Sequence, residues 1–131
     1  MKVETRIGRI VASRETLNEI ALYLSVSALA LKEKGNYHTA KRVGDISEYI
    51  YKELNTKSSS IEVTYEDDVT VQTEIGCITS SASTLNSITL YLYEAALFYK
   101  DIGLRLAGRK IYNIVNAIFV TLEKAGLYSE G

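Results

Sequence analysis

Few side chains in this 131-residue sequence have the type and spacing that chemistry requires. His38 is the only histidine, and neither a triad partner nor metal-ligand spacing accompanies it, so a solvated polar side chain is expected there. Cys77 is the only cysteine; it cannot form an intramolecular disulfide, and a buried structural thiol is expected. Glu62, Glu66, Asp67 and Asp68 gather carboxylates, but not in the D-x-D-x-D-G order of a calcium loop, and they read as a solvated turn. Gly8 and Gly76 belong to no phosphate-cradling pattern. The chain therefore offers no nucleophile, base or metal constellation and no cofactor motif, which places a binding or structural role ahead of an enzyme.

One polar feature recurs. Lys41-Arg42 and Arg109-Lys110 each open a helical segment 68 positions apart, with Lys32 and Lys100 repeating alongside. Such clusters engage phosphates without reading sequence. The competing reading is a set of salt-bridged helix ends, because Glu33, Asp45 and Asp101 lie close by. The net charge of −1 gives no overall attraction to nucleic acid.

The elements that must position these residues are written twice. Val3 to Leu54 aligns without a gap on Val71 to Leu122, joined by a connector over 55–70. Identical pairs include Ile7 and Ile75, Gly8 and Gly76, Thr16 and Thr84, Leu17 and Leu85, Gly35 and Gly103, and Ile46, Ile50 and Leu54 with Ile114, Ile118 and Leu122. Each copy reads as an extended or irregular lead-in and two helices. In the first helix Leu17, Ile20, Ala21, Leu24, Ala28 and Leu31 recur at helical spacing. Ser13 and Ser81 are N-cap candidates, and Gly35 and Gly103 stand where a left-handed residue ends a helix. The second helices run from about Tyr37 to Leu54 and from about Leu104 to Lys124.

The expected fold is mainly α: one domain over 1–131, built as an internally duplicated four-helix unit of two tandem helical hairpins with extended lead-ins. Around the connector, Ile61, Val63 and Tyr65, then Val69, Val71, Thr73 and Ile75, alternate with polar residues about Glu66-Asp67-Asp68. That suggests a small β-hairpin over about 61–76, to which Val3, Thr5 and Ile7 could add a strand; extended arms without a sheet are the alternative.

The copies differ in polarity. Helices of the second carry fewer charges, and Phe119 and Val120 beside Ile118 widen its apolar stripe. A self-association surface is expected there, with Tyr93, Phe98, Tyr99, Phe119 and Val120 as candidates, against the reading that this copy forms the deeper core. The nearly uncharged runs Ile20–Leu31 and Ile111–Leu122 fall short of the ~20 residues a membrane span needs, and the opening MKVETRIGRI lacks a secretory apolar stretch.

A tandem-duplicated helical chain rich in tyrosine and isoleucine, without proline and without reactive motifs, resembles the coat proteins of archaeal large tailed spindle-shaped viruses. The resemblance implies a non-enzymatic virion component that assembles with copies of itself around genomic DNA and stays in the host cytoplasm before assembly. It carries over no site residues. The alternative is a cytoplasmic dimeric binding module, a small regulator using Lys41, Arg42, Arg109 and Lys110 on nucleic acid.

Overall fold

The computed structural model describes residues 1–56 and 65–127. The elements run β1 (Lys2–Thr5), β2 (Gly8–Ala12), α1 (Arg14–Glu33), α2 (Tyr37–Leu54), β3 (Asp68–Thr73), β4 (Gly76–Ser81), α3 (Ala82–Asp101) and α4 (Arg105–Lys124). The fold is mainly helical, with a four-stranded antiparallel sheet in the order β1-β2-β4-β3.

The strands correct the sequence-based expectation. A hairpin forms over 68–81, not 61–76, and it turns at Glu74-Ile75, not at the acidic cluster. Glu66 and Asp67 form a separate turn, closed by the Asp68 amide donating to the Tyr65 carbonyl, that leads into β3. The part of the expected hairpin carried by Ile61 and Val63 lies outside the described residues. The first lead-in is a hairpin too, so a sheet replaces the extended arms.

A shared turn explains why both hairpins sit where they do. The Thr5 hydroxyl donates to the Gly8 carbonyl (2.8 Å) and accepts from the Ile7 amide (3.2 Å); Thr73 repeats this with Gly76 (2.7 Å) and Ile75 (3.2 Å). Gly8 and Gly76 have φ of +124° and +122°, where a side chain is strained.

The two central strands pair about Val11 and Thr79, with Ile10 opposite Ser80 and Ala12 opposite Ile78. Val11 thus faces the position 68 on from itself, Ile10 and Ala12 each face the position 68 on from the other, and the helices interlock in the same reciprocal way. The Thr84 hydroxyl at the start of α3 donates to the Ile7 carbonyl (2.6 Å), and Thr16 in α1 donates to the Ile75 carbonyl. Both threonines are buried.

Helix limits follow local chemistry. The Ser13 and Ser81 hydroxyls accept from the Thr16 and Thr84 amides (3.1 Å each), caps whose loss costs about 1 kcal/mol apiece. Gly35 and Gly103 take φ of +81° and +88° just past α1 and α3, in the left-handed geometry that ends a helix. Leu104 occupies the N-cap position, so α4 starts one residue later than the spacing predicts.

One apolar core draws on all eight elements. The sheet contributes Val3, Ile10, Val71 and Ile78; α1 contributes Leu17, Ile20 and Leu24, matched by Leu85, Ile88 and Leu92 from α3. The outer helices add Val43, Ile46 and Ile50 from α2 and Ile111, Ile114 and Ile118 from α4. Each such side chain contributes about 1.5–3 kcal/mol by leaving water. α1 and α3 pack on each other, α2 flanks α1 and α4 flanks α3, so the helices form a layer over the sheet. No helix among the described residues is long and apolar enough to cross a membrane.

Candidate functional site

The residues singled out by type alone end up dispersed. His38 is exposed in the first turn of α2. Cys77 is exposed, which overturns the expectation of a buried thiol. The core-facing residues of β4 are Ile78 and Ser80, and strand alternation sends Cys77 to the opposite face. Among the carboxylates, Glu66 and Asp67 are exposed, Glu62 lies outside the described residues, and Asp68 is drawn in against Arg9. The Asp68 carboxylate accepts from the Arg9 guanidinium and from the Tyr65 amide (3.0 Å), and the guanidinium lies 4.0 Å from the centre of the Tyr65 ring. Asp68 is thus a structural clamp at the start of β3 and not part of a solvated turn. Among the described residues, no group of three or more His, Cys, Asp or Glu side chains could hold a metal.

All four dibasic residues are exposed. Lys41 and Arg42 lie on α2, Arg109 and Lys110 on α4, and α1 and α3 stand between those helices, so the pairs occupy opposite flanks. Lys41 is also neutralised by Asp45, 3.4 Å away. Of the apolar candidates, Tyr93 and Val120 are exposed and Phe98, Tyr99 and Phe119 are half-buried, with the Phe98 and Tyr99 rings edge to face at 6.3 Å.

What the fold assembles instead is a groove of about 520 Å³ between α3 and α4. Its α3 wall is Tyr93, Ala96, Leu97 and Lys100; its α4 wall is Arg105, Gly108, Arg109 and Tyr112. These are helical stripes, i, i+3 or i+4 and i+7, on two antiparallel helices joined at Gly103. Lys100 and Arg105 therefore sit at the turn end and Tyr93 and Tyr112 two turns away, about 10 Å along the axes. Gly108 sets the spacing: a Cβ there would stand 2.9 Å from the Ala96 carbonyl oxygen, so only glycine permits this approach.

The electrostatics of the groove are one-sided. Among the described residues it is lined by three cations and no carboxylate, and Lys100, Arg105 and Arg109 make no ion pair with any of those residues. A wider groove of about 1020 Å³ between β1 and α2 is different. There Glu4, Asp45 and Glu48 meet Arg6 and Lys52, with Arg6 4.0 Å from Asp45, and the charges largely compensate one another.

Burial, with the neighbouring Glu19 carboxylate, pushes the Tyr23 phenol well above its usual range. Burial likewise raises Tyr51 and Tyr49, and a hydrogen bond to Glu94 (2.6 Å) raises Lys34. Each is explained by packing or by one surface partner. The groove itself offers cationic donors and aromatic rings, the equipment of binding.

The signal for this groove lay in the differences between the two sequence copies. Tyr93, Arg105, Gly108 and Tyr112 stand where the first copy has Ser25, Tyr37, Ala40 and Gly44. Lys100 and Arg109 among the basic clusters and Tyr93 among the apolar candidates are legible in the sequence; Gly108 and Tyr112 carry no such signal. A scan against family models, a search of curated proteins and a search of solved structures each return no match for this chain.

Proposed function

We propose that this chain is a non-enzymatic structural protein, two copies of one ββαα unit fused in tandem, which self-associates through the outer face of its helical layer. The observation that carries the reading is the apolar character of that face. α1 and α3 each use one side on the sheet and others on neighbouring helices, and the remaining side exposes Leu22 (42%), Leu29 (48%) and Leu90 (62%), with Tyr93 beside them. Leu22 and Leu29 are two turns apart on α1, and Leu90 is one turn from Tyr93 on α3, so each of the two helices presents an exposed apolar stripe on that face. A second copy laid against it would remove the leucines from water at roughly 25 cal/mol per Å² of apolar area. The resemblance to coat proteins of tailed spindle-shaped viruses supplies the setting: a virion shell, filled from a pool of chains in the host cytoplasm.

Light scattering across concentration tests the association: assembly is expected for the native chain and a monomer for Leu22→Glu/Leu90→Glu. A native chain that stays monomeric at high concentration overturns it. Peptide mass mapping of purified particles tests the setting, and absence of the chain from them removes the virion role.

A further inference from the structure

We infer that the groove between α3 and α4 binds single-stranded nucleic acid, its phosphates on Lys100, Arg105 and Arg109 and a base against Tyr93 and Tyr112. Three observations converge. The groove carries three cations with no acidic residue in its lining and no ion-pair partner among the described residues, so its field is open to an anion. Two tyrosines, 44% and 53% exposed, line that same groove and leave ring surface within reach of a ligand. Lys100 and Arg105 lie at the turn end, the rings about 10 Å away and Arg109 between them, a span on the scale of one or two nucleotides.

Rings and cations in one groove are the pairing by which sequence-tolerant proteins hold single strands, because every base has a π-face and every nucleotide a phosphate. A duplex hides those faces, and its phosphates alone would leave the tyrosines without a partner. An acidic peptide would satisfy the cations and give the rings nothing to stack on. The first copy lacks both rings, with Ser25 and Gly44 in their places, and carries Tyr37 in place of Arg105. One site per chain is therefore expected.

Fluorescence anisotropy of a labelled twelve-residue oligothymidylate, titrated with the full chain in low salt, tests this directly. Binding should weaken with salt along a log–log slope of about −2, from three phosphate contacts at roughly 0.7 each. Tyr93→Leu or Tyr112→Leu should weaken binding about tenfold or more, and Tyr93→Phe should restore it, because stacking needs the ring and not merely an apolar side chain. Arg109→Gln should lower the affinity and flatten the slope by about 0.7, whereas Arg42→Gln, exposed on the opposite flank, should change neither. All of these side chains are exposed, so circular dichroism should report intact folding in every variant. Equal affinity for a duplex of the same length, equal binding by the leucine variants, or no binding in low salt overturns the proposal. Leu22→Glu/Leu90→Glu reads self-association separately, and Tyr112, which lies in the groove but not among the residues of that face, keeps the two readings distinguishable.

Discussion

The reciprocal clamp between the two halves can be tested with a double-mutant cycle at Gly8 and Thr84. A Cβ on Gly8 would lie 2.1 Å from the Thr84 hydroxyl oxygen, and Gly8 holds φ of +124°. Gly8→Ala therefore carries two costs. The backbone conformation costs about 1–3 kcal/mol in any residue with a Cβ. Displacing the Thr84 hydroxyl breaks its bond to the Ile7 carbonyl and leaves a buried acceptor unpaired, a further ~1–3 kcal/mol. Together about 2–6 kcal/mol is expected, a large part of the 5–15 kcal/mol that holds a typical domain folded. Thr84→Ala alone should cost about 1–3 kcal/mol, by losing the same hydrogen bond. In that background the clashing oxygen is gone, the bond cannot be lost twice, and Gly8→Ala should cost only its backbone part. The cycle thus predicts a coupling of about 2 kcal/mol between a turn of the first half and a helix of the second. Urea unfolding followed by circular dichroism measures it, with one transition expected because the clamp ties the halves together. An unchanged Gly8→Ala cost in the Thr84→Ala background, or two separate transitions in the native chain, refutes the clamp. Gly76 and Thr16, with a Cβ-to-hydroxyl distance of 2.4 Å, should repeat the result.

Two other perturbations have signs fixed by the structure. The Tyr23 phenol is raised by burial and by Glu19, so the folded state holds its proton more tightly than the unfolded chain; its contribution is complete below the usual phenol value near 10 and is lost as pH rises above it. Tyr23→Phe should accordingly lose less stability between pH 8 and pH 11 than the native chain, read as urea midpoints, and an equal loss refutes the assignment. Gly108→Ala should destabilise by about 1 kcal/mol, because overpacking against the rigid Ala96 carbonyl (about 1–3 kcal/mol) outweighs the helix propensity gained (about 1 kcal/mol). Net stabilisation would show that α4 is free to move away.

The helices were legible because their signals are local. Ser13 and Ser81 cap, Gly35 and Gly103 stop, and Leu17, Ile20, Leu24 and their counterparts repeat on one face, so both ends and the buried side of α1 and α3 can be read along the chain. The hairpins were harder. Alternation continues from Ile61 to Ile75 almost without a break, so periodicity could not say where the strand turns. The turn was written in Thr5-x-x-Gly8 and Thr73-x-x-Gly76, a hydroxyl-and-glycine pattern whose meaning appears only once the threonine is seen bonding its own turn. Cys77 was misplaced for the same reason: a strand's inward face is set by register, and Ile78 holds the inward position. The α3–α4 groove depends on which stripes two helices turn toward each other, and tertiary packing decides that.

The differences between the halves are not scattered. Where the copies must interlock they keep the same residues: Thr16 and Thr84 reach across to the turns at Ile75 and Ile7, and Gly8 and Gly76 make room for them. Where they meet solvent they diverge in linked sets. In the second half, the site that corresponds to the β1–α2 groove has Asn113 donating to Glu74 (3.0 Å) where the first has the looser Asp45–Arg6 pair, and Val120 and Ala117 replace Lys52 and Tyr49. On the other side of α4, Gly108 stands where the first half has Ala40, and Tyr93, Arg105 and Tyr112 build walls that Ser25, Tyr37 and Gly44 do not. A preserved interlock with concentrated surface change is what is expected when the interlock holds the fold and each half presents a different surface to its surroundings.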